Sequence, residues 1–181
     1  METTHGSIQV SDIRGEKMKR YHFCSLEFLK KLEVQQVIKA YAHSTNDHNR
    51  YAYDFIFHEK SLNKGNGMFF LWENPTKKGK TIEFVDKSLA NFVLLELEIP
   101  NNIGIDTDYD NWCSFIMDLY ESDGDYKVAD EICREIGIEN GLDGSYQAIF
   151  KTDDYSNIQT LVPYLKSDWI VSIQYTKNKI V

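Results

Sequence analysis

Residues 91–100, Asn-Phe-Val-Leu-Leu-Glu-Leu-Glu-Ile-Pro, contain the pattern that decides the fold class. The first half of this stretch is continuously apolar, whereas in the second half Leu95 and Leu97 alternate with glutamates. This pattern is typical of a central strand that begins buried on both faces and ends at the margin of a sheet. Pro100 has no amide hydrogen for the ladder, so we expect the strand to end there. The other segments are interpreted as elements packed around this strand.

The composition is that of a globular protein and limits the classes to which the chain can belong. Its 181 residues amount to about one domain, and 42% of them are apolar. No apolar run approaches the roughly 18 residues of a membrane helix, so no membrane association is expected. Cys24, Cys113 and Cys133 have no CxxC spacing, which favours a reduced, cytoplasmic setting. We interpret residues 1–16 as a flexible leader and residues 17–181 as a single α+β domain.

Acidic residues are concentrated in the second half of the chain. Residues 1–80 contain 13 Lys and Arg against 9 Asp and Glu, whereas residues 81–181 contain 7 against 19. One interpretation is a solvated acidic surface, and the other is an acidic face that binds a basic partner or mimics nucleic acid. General DNA binding by the whole protein is not expected.

Hydrophobic periodicity divides the rest of the chain into helices and strands, which indicates a mixed α+β domain. Ser25, Asn46 or Asp47, and Asp108 are suitable N-caps for the helices that follow them. We predict strands at 17–24, 68–72, 81–85, 91–100, 145–151 and 168–175, and helices at 26–41, 51–62, 109–120, 128–136 and around 158–165, with a helical turn at 85–90.

Two clusters of potential ligands bear on metal binding. Asp106, Asp108 and Asp110 have the spacing of the first ligands of a calcium loop, but the sixth position is not glycine and the twelfth is not glutamate. A helix N-terminus rich in aspartate explains them better, because the helix dipole favours carboxylates there. His43 and His48 share one loop but lack a third ligand at a suitable spacing. We therefore predict no metal.

Six blocks of the sequence resemble, in the same order, a family of uncharacterised bacterial proteins known only as a domain of unknown function. The resemblance extends over most of the chain and implies no particular activity. The blocks are residues 52–55, 69–72, 94–100, 108–112, 147–150 and 169–171.

The order of blocks also resembles the ADP-ribosyltransferase superfamily. Residues 20–25, Arg-Tyr-His-Phe-Cys-Ser, are similar to that family's Tyr-His-x-Thr-Ser strand, and residues 67–70, Gly-Met-Phe-Phe, to its Gly-x-Tyr-Phe strand. Residues 92–100 resemble the next strand, and residues 146–150 fall where the strand of the catalytic glutamate is expected. The resemblance implies an α+β fold with a split, mostly antiparallel sheet and flanking helices.

The function that this second resemblance implies is transfer of ADP-ribose from NAD to a protein or nucleic-acid acceptor, in bacterial or phage conflict. His22 would hold the NAD ribose, and Ser25 belongs to the same cofactor-binding motif. Phe70 or Trp72 would stack on the nicotinamide. Gln147 would occupy the catalytic position.

Gln147 departs from the family, because a neutral amide cannot stabilise the developing positive charge of the ribose as a carboxylate does. Three alternatives follow: Glu96 or Glu98 serves instead, the protein binds a nucleotide without turnover, or only the fold is shared. The histidine and the aromatic residues are also residue types that fill protein cores. The rival function is a non-enzymatic, acidic interaction protein that binds a basic partner or mimics nucleic acid.

Overall fold

The computed structural model describes residues 16–43, 46–74, 91–153 and 156–175. The strand predicted at 81–85 and the helical turn at 85–90 lie outside the described residues, as does the predicted leader up to residue 15.

Strands in the described part of the chain form two antiparallel sheets. They are β1 (Lys17–Ser25), β2 (Val37–Lys39), β3 (Phe69–Trp72), β4 (Phe92–Pro100), β5 (Ile105–Asp108), β6 (Ile158–Val162), β7 (Tyr164–Lys166) and β8 (Ile170–Tyr175). Six of them form one sheet in the order β5-β6-β3-β1-β4-β8, in which all neighbours are antiparallel. Strands β2 and β7 pair separately. The predicted α+β class and mostly antiparallel sheet are confirmed.

Helices flank both faces of the six-stranded sheet. They are α1 (Leu26–Gln35), α2 (Asp47–Tyr53), α3 (Tyr109–Glu121), α4 (Tyr126–Glu135) and α5 (Gly141–Ala148), and α2 continues into a π-helical segment, Asp54–Glu59. A turn with left-handed residues occupies Leu62–Gly65, and a short 3-10 segment occupies Ser167–Trp169. We call residues 109–148, which contain α3, α4 and α5, the helical layer.

The sheet separates two apolar cores. On one face, Leu29 and Leu32 of α1 pack with Leu95 of β4. On the other face, the helical layer and the π-helical segment pack with Phe70 of β3 and Leu161 of β6. Because successive side chains of a strand point to opposite faces, β3 and β6 contribute alternate residues to the two cores.

Strand β4 has the burial that its sequence predicts. Val93, Leu94 and Leu95 are all buried, after which Leu97 and Ile99 stay buried while the glutamates between them are only partly so. The strand ends at Pro100, as expected. It is paired on both sides, but it lies beside the edge strand β8 rather than at the centre of the sheet.

Two predictions of secondary structure near the C-terminus are wrong. Residues 145–151 were predicted to be a strand, but residues 141–148 form α5 because Leu142 and Tyr146 are spaced for one helical face. Residues 158–165 were predicted to be a helix, but they form β6 and β7. Pro163 lies between these two strands, where its missing amide hydrogen interrupts no ladder.

The first helix is shorter than predicted. Ser25 caps α1 as expected, since its hydroxyl accepts a hydrogen bond from the amide of Phe28 at 3.0 Å. However, α1 ends at Gln35, and Gln36 adopts a left-handed conformation with φ of 61°. The β-branched pair that follows begins β2. Tertiary pairing with β7 therefore overrides the helical spacing of this segment.

Candidate functional site

The NAD-binding residues implied by the resemblance do not meet in one place. His22 lies on the α1 face of β1, with its ring edge-on to Phe28 at 6.0 Å and to Phe69 at 5.8 Å between centroids. Its Nδ1 lies 3.2 Å from the backbone carbonyl oxygen of Phe70, to which it donates. Ser25 uses its hydroxyl to cap α1. Both side chains therefore have structural partners on this face.

The two aromatic candidates point to the opposite face of the sheet. Phe70 lies 5.0 Å from Trp112, and Trp72 lies 4.7 Å from Tyr109, measured between ring centroids. Both contacts are with α3, so these rings fill the space between β3 and the helical layer. They cannot stack on a nicotinamide held by His22, because the sheet separates them from that residue.

Gln147 does not lie on a strand, contrary to what the resemblance implied. It is an exposed residue of helix α5 and not a strand residue. The alternative carboxylates lie on β4, where Glu96 pairs with Lys19 at 2.7 Å and Glu98 with Lys17 at 3.6 Å. The ammonium group of Lys19 lowers the pKa of Glu96. These glutamates form a ladder with β1 rather than a site with His22 or Gln147.

The three aspartates considered for calcium have other partners. Asp108 caps α3 by accepting hydrogen bonds from the amides of Asp110 at 2.8 Å and Asn111 at 2.9 Å, as the helix-terminus interpretation predicts. Asp106 accepts from the buried guanidinium of Arg20, with both oxygens 3.2 Å from Nη2, and from the hydroxyl of Thr160. No group of three or more His, Cys, Asp or Glu side chains suited to a metal ion occurs in the described ranges.

Desolvation of the half-buried His22 makes the stability of the protein dependent on pH. Desolvation lowers the pKa of His22 from about 6.5 to about 4. Above pH 6.5 the imidazole is neutral in both folded and unfolded chains, so no stability is lost. As the pH falls from 6.5 to 4, only the unfolded chain takes up the proton, and the free energy of unfolding should fall by up to about 3 kcal/mol.

Urea denaturation of the wild type and His22→Gln between pH 7.5 and pH 4 measures this dependence. The variant cannot titrate at this position, so its free energy of unfolding should fall less steeply over that interval. His43→Gln removes an exposed histidine and serves as the matched control. Parallel pH profiles for the wild type and His22→Gln would contradict the proposed burial effect.

What the structure does assemble is an open groove of about 450 Å³ between the π-helical segment and the helical layer. Its wall combines aromatic rings, an aliphatic residue and several charged side chains. The lining residues are Phe55, Tyr126, Lys127, Asp130, Glu131, Leu142 and Asp143. Aromatic faces beside carboxylates are the chemistry that binds organic cations in proteins.

Local capping and pairing hold the acidic wall of the groove in place. Asp125 caps α4, accepting from the amide of Lys127 at 2.9 Å. Asp130 accepts from Arg134 Nε at 2.8 Å and from the amide of Leu142 at 3.0 Å, which joins α4 to the start of α5. The hydrogen bond from Arg134 is the main cause that lowers the pKa of Asp130.

One cation of the protein already lies at this groove. The ammonium group of Lys60 is 2.5 Å from Asp143 Oδ1, 5.1 Å from the ring centroid of Phe55 and 5.8 Å from that of Tyr146. In contrast, the described residues provide no ion pair for Glu131, which is exposed on the same wall. The groove thus presents one carboxylate paired with a lysine, Asp143, and one without an ion pair among the described residues, Glu131.

Comparison of the chain with protein-family models, curated proteins and solved structures finds no significant match in any of the three. Both resemblances described above therefore stay predictions. Among the described helices, none combines the length and apolar character needed to cross a membrane.

Sequence reasoning did not find the groove. The acidic excess of the second half was visible, but Phe55 and Lys60 come from the first half. Neither residue has a local motif that points to Asp143, more than eighty positions away. A signal that could have suggested the site is the pair of aromatic residues at 126 and 146 within an acidic segment, because aromatic rings beside carboxylates are typical of cation-binding sites.

Proposed function

We propose that this protein is a non-enzymatic interaction protein whose helical layer binds a basic partner protein. The observation that supports the proposal is the location of the charge. Residues 109–148 contain ten Asp and Glu against two Lys and Arg, a net charge of −8, which equals the formal net charge of the whole chain. The rest of the protein is therefore neutral in sum, and the acidic field originates from one layer.

The acidic side chains of the helical layer are mostly accessible. Its exposed acidic residues are Asp110, Glu121, Asp123, Asp125, Glu131, Glu135, Glu139 and Asp143. Exposed apolar side chains lie among them, including Val128 at 42% exposure and Ile136 at 65%. A charged surface interspersed with apolar groups offers a protein partner both electrostatic attraction and area to bury.

Binding to a labelled peptide of alternating lysine and serine, followed by fluorescence anisotropy, tests the proposal. We expect wild-type protein to bind this peptide and not the matched glutamate–serine peptide. Raising the ionic strength from about 0.05 M to about 0.3 M should weaken binding, because salt screens interactions between exposed charges.

Two variants with the same change in net charge locate the binding surface. Glu131→Lys with Glu135→Lys reverses charges on α4, whereas Glu27→Lys with Glu33→Lys reverses charges on α1, across the sheet. We expect at least about tenfold weaker binding for the α4 pair, equivalent to about 1.4 kcal/mol, and less than about threefold for the α1 pair. Equal losses for the two pairs, or no binding by wild type, would show that the proposal is wrong.

NAD-dependent ADP-ribosyl transfer stays a prediction, and a thermal-denaturation experiment addresses it. A ligand present at 100 times its dissociation constant adds about 2.7 kcal/mol to the stability of the folded state. A rise in melting temperature with NAD would favour the transferase over the interaction protein. No effect of NAD, together with binding of the lysine peptide, is the result we expect.

A further inference from the structure

The position of Lys60 relative to the groove suggests a more specific site. Lys60 follows the π-helical segment directly, and its amide closes that segment by donating to the carbonyl oxygen of Phe55 at 2.8 Å. Its side chain extends over Phe55 and Tyr146 to the carboxylate of Asp143. One lysine side chain thus contacts two aromatic rings and one acid.

These three partners are suited to a primary ammonium group. The ring faces attract a cation through their quadrupoles, and the carboxylate accepts a hydrogen bond from it. Phe55 and Tyr146 are only 5% and 8% exposed, so little of each ring is accessible to solvent. By contrast, the Asp143 side chain is 62% exposed and can accept a second donor from outside. A compact ammonium matches this arrangement, since it makes contacts in several directions from a single charged centre.

The groove continues from this site into open space. Phe55 and Asp143 contact Lys60 and also line the 450 Å³ groove, which leads to the carboxylate of Glu131. The lysine side chain itself retains 31% of its exposure, so it can leave the site without unfolding the segments around it. A lysine approaching along the groove would therefore reach the same rings and the same carboxylate.

We propose that Phe55, Tyr146 and Asp143 form a binding site for a lysine side chain, which Lys60 occupies in the free protein and a lysine of the basic partner takes over on binding. This inference rests on the proposed function and identifies the part of the partner that is recognised. Lys60 acts as an internal competitor, and its removal leaves the two rings and the carboxylate available.

Lys60→Ala, with Lys64→Ala as the matched control, tests this competition. Both changes remove one positive charge, and Lys64 is an exposed neighbour with no ion pair among the described residues. The electrostatic attraction between the acidic protein and the lysine–serine peptide should increase equally in the two variants, because each loses one positive charge. Only Lys60→Ala empties the site, so we expect it to bind the peptide about fivefold more tightly than Lys64→Ala does.

A second pair of variants tests whether the gain comes from this site. Adding Asp143→Asn to Lys60→Ala should abolish the gain in affinity. Adding Asp123→Asn, which removes an exposed carboxylate outside the groove, should preserve most of it. In wild-type protein, the NMR signal of the Lys60 ε-methylene group should shift as the peptide saturates the protein, because the ammonium leaves the two rings.

The outcomes separate this inference from the proposed function. Equal affinities for Lys60→Ala and Lys64→Ala, with the α4 charge reversal still weakening binding, would overturn the lysine site and leave the acidic surface in place. Tighter binding by Lys60→Ala than by Lys64→Ala, lost again when Asp143→Asn is added, would support the site that Lys60 occupies. Absence of peptide binding in wild type and in every variant would overturn both.

Discussion

Gly67→Ala should destabilise the protein by roughly 2–5 kcal/mol. Gly67 has φ of +71°, and an added Cβ would lie 2.2 Å from the backbone carbon and oxygen of Tyr41 and 2.6 Å from the amide nitrogen of Ala42. A left-handed conformation costs a residue with a side chain about 1–2 kcal/mol, and overpacking typically costs about 1–3 kcal/mol more. Backbone atoms cannot move aside as the end of a flexible side chain can.

Gly137→Ala provides the control for this prediction. Gly137 has φ of +87°, but nothing lies within 4 Å of an added Cβ. It should therefore show the conformational cost alone, about 1–2 kcal/mol. Urea denaturation of both variants measures the difference. If the two changes cost the same, the close contact between Gly67 and the chain at Tyr41 does not exist in solution.

Leu95→Ala should cost about 2–5 kcal/mol, from lost transfer free energy and from the cavity left behind. Leu95 is fully buried on the α1 face of β4, in register with His22 of β1 and Ile173 of β8. Because strands flank Leu95 on both sides, the surrounding residues cannot collapse fully into the cavity. The loss of stability should therefore exceed the transfer free energy of the removed atoms.

Val171→Ala on the edge strand β8 is the matched change at an exposed position. Val171 is 53% exposed, so its truncation should cost less than about 1 kcal/mol. Chemical denaturation gives both values, and the midpoint should shift without a change in the dependence on urea concentration. A cost below about 1 kcal/mol for Leu95→Ala would mean that β4 is not part of the core.

The confirmed sequence predictions depend on interactions between near neighbours. Ser25 and Asp108 cap their helices through hydrogen bonds to amides two or three residues away, so the composition of a short segment is sufficient to predict them. The same holds for Asn46, which accepts from the amide of His48. Strand β4 was predictable because the alternation of leucine and glutamate at its end fixes which side is buried.

The wrong predictions of secondary structure concern segments whose sequence does not distinguish the two-residue period of a strand from the roughly 3.6-residue period of a helix. Residues 145–148 alternate between polar and apolar side chains, as a strand does, but Leu142 and Tyr146 also have the spacing of one helical face. Packing against α4 selects the helix. Residues 158–162 are buried along most of their length, so their sequence lacks the alternation that would identify a strand. Pairing with β3 and β5 makes this segment β6.

The residues predicted for an NAD site lie apart for a reason that sequence order cannot reveal. A side chain's face depends on the strand register, and a shift of one residue moves it to the other side of the sheet. Tyr21 pairs with Trp72, which places both on the face of the helical layer and leaves His22 on the α1 face. A resemblance between sequences shows the order of such residues along the chain, but not the face of the sheet on which each side chain lies.

The sequence by itself determined the starts of α1, α2 and α3, the end of β4 and the acidic excess of the second half, because each depends on residue types within a short stretch or on their total. Tertiary structure decided that most of this excess lies on one layer and that Phe55, Lys60 and Asp143 meet beside a groove. Those three residues come from the π-helical segment, the residue after it and α5. Apolar side chains that pack around Phe115 of α3 bring them together. The hydrophobic effect that drives this packing acts between residues far apart in the chain, so no local sequence pattern reveals it.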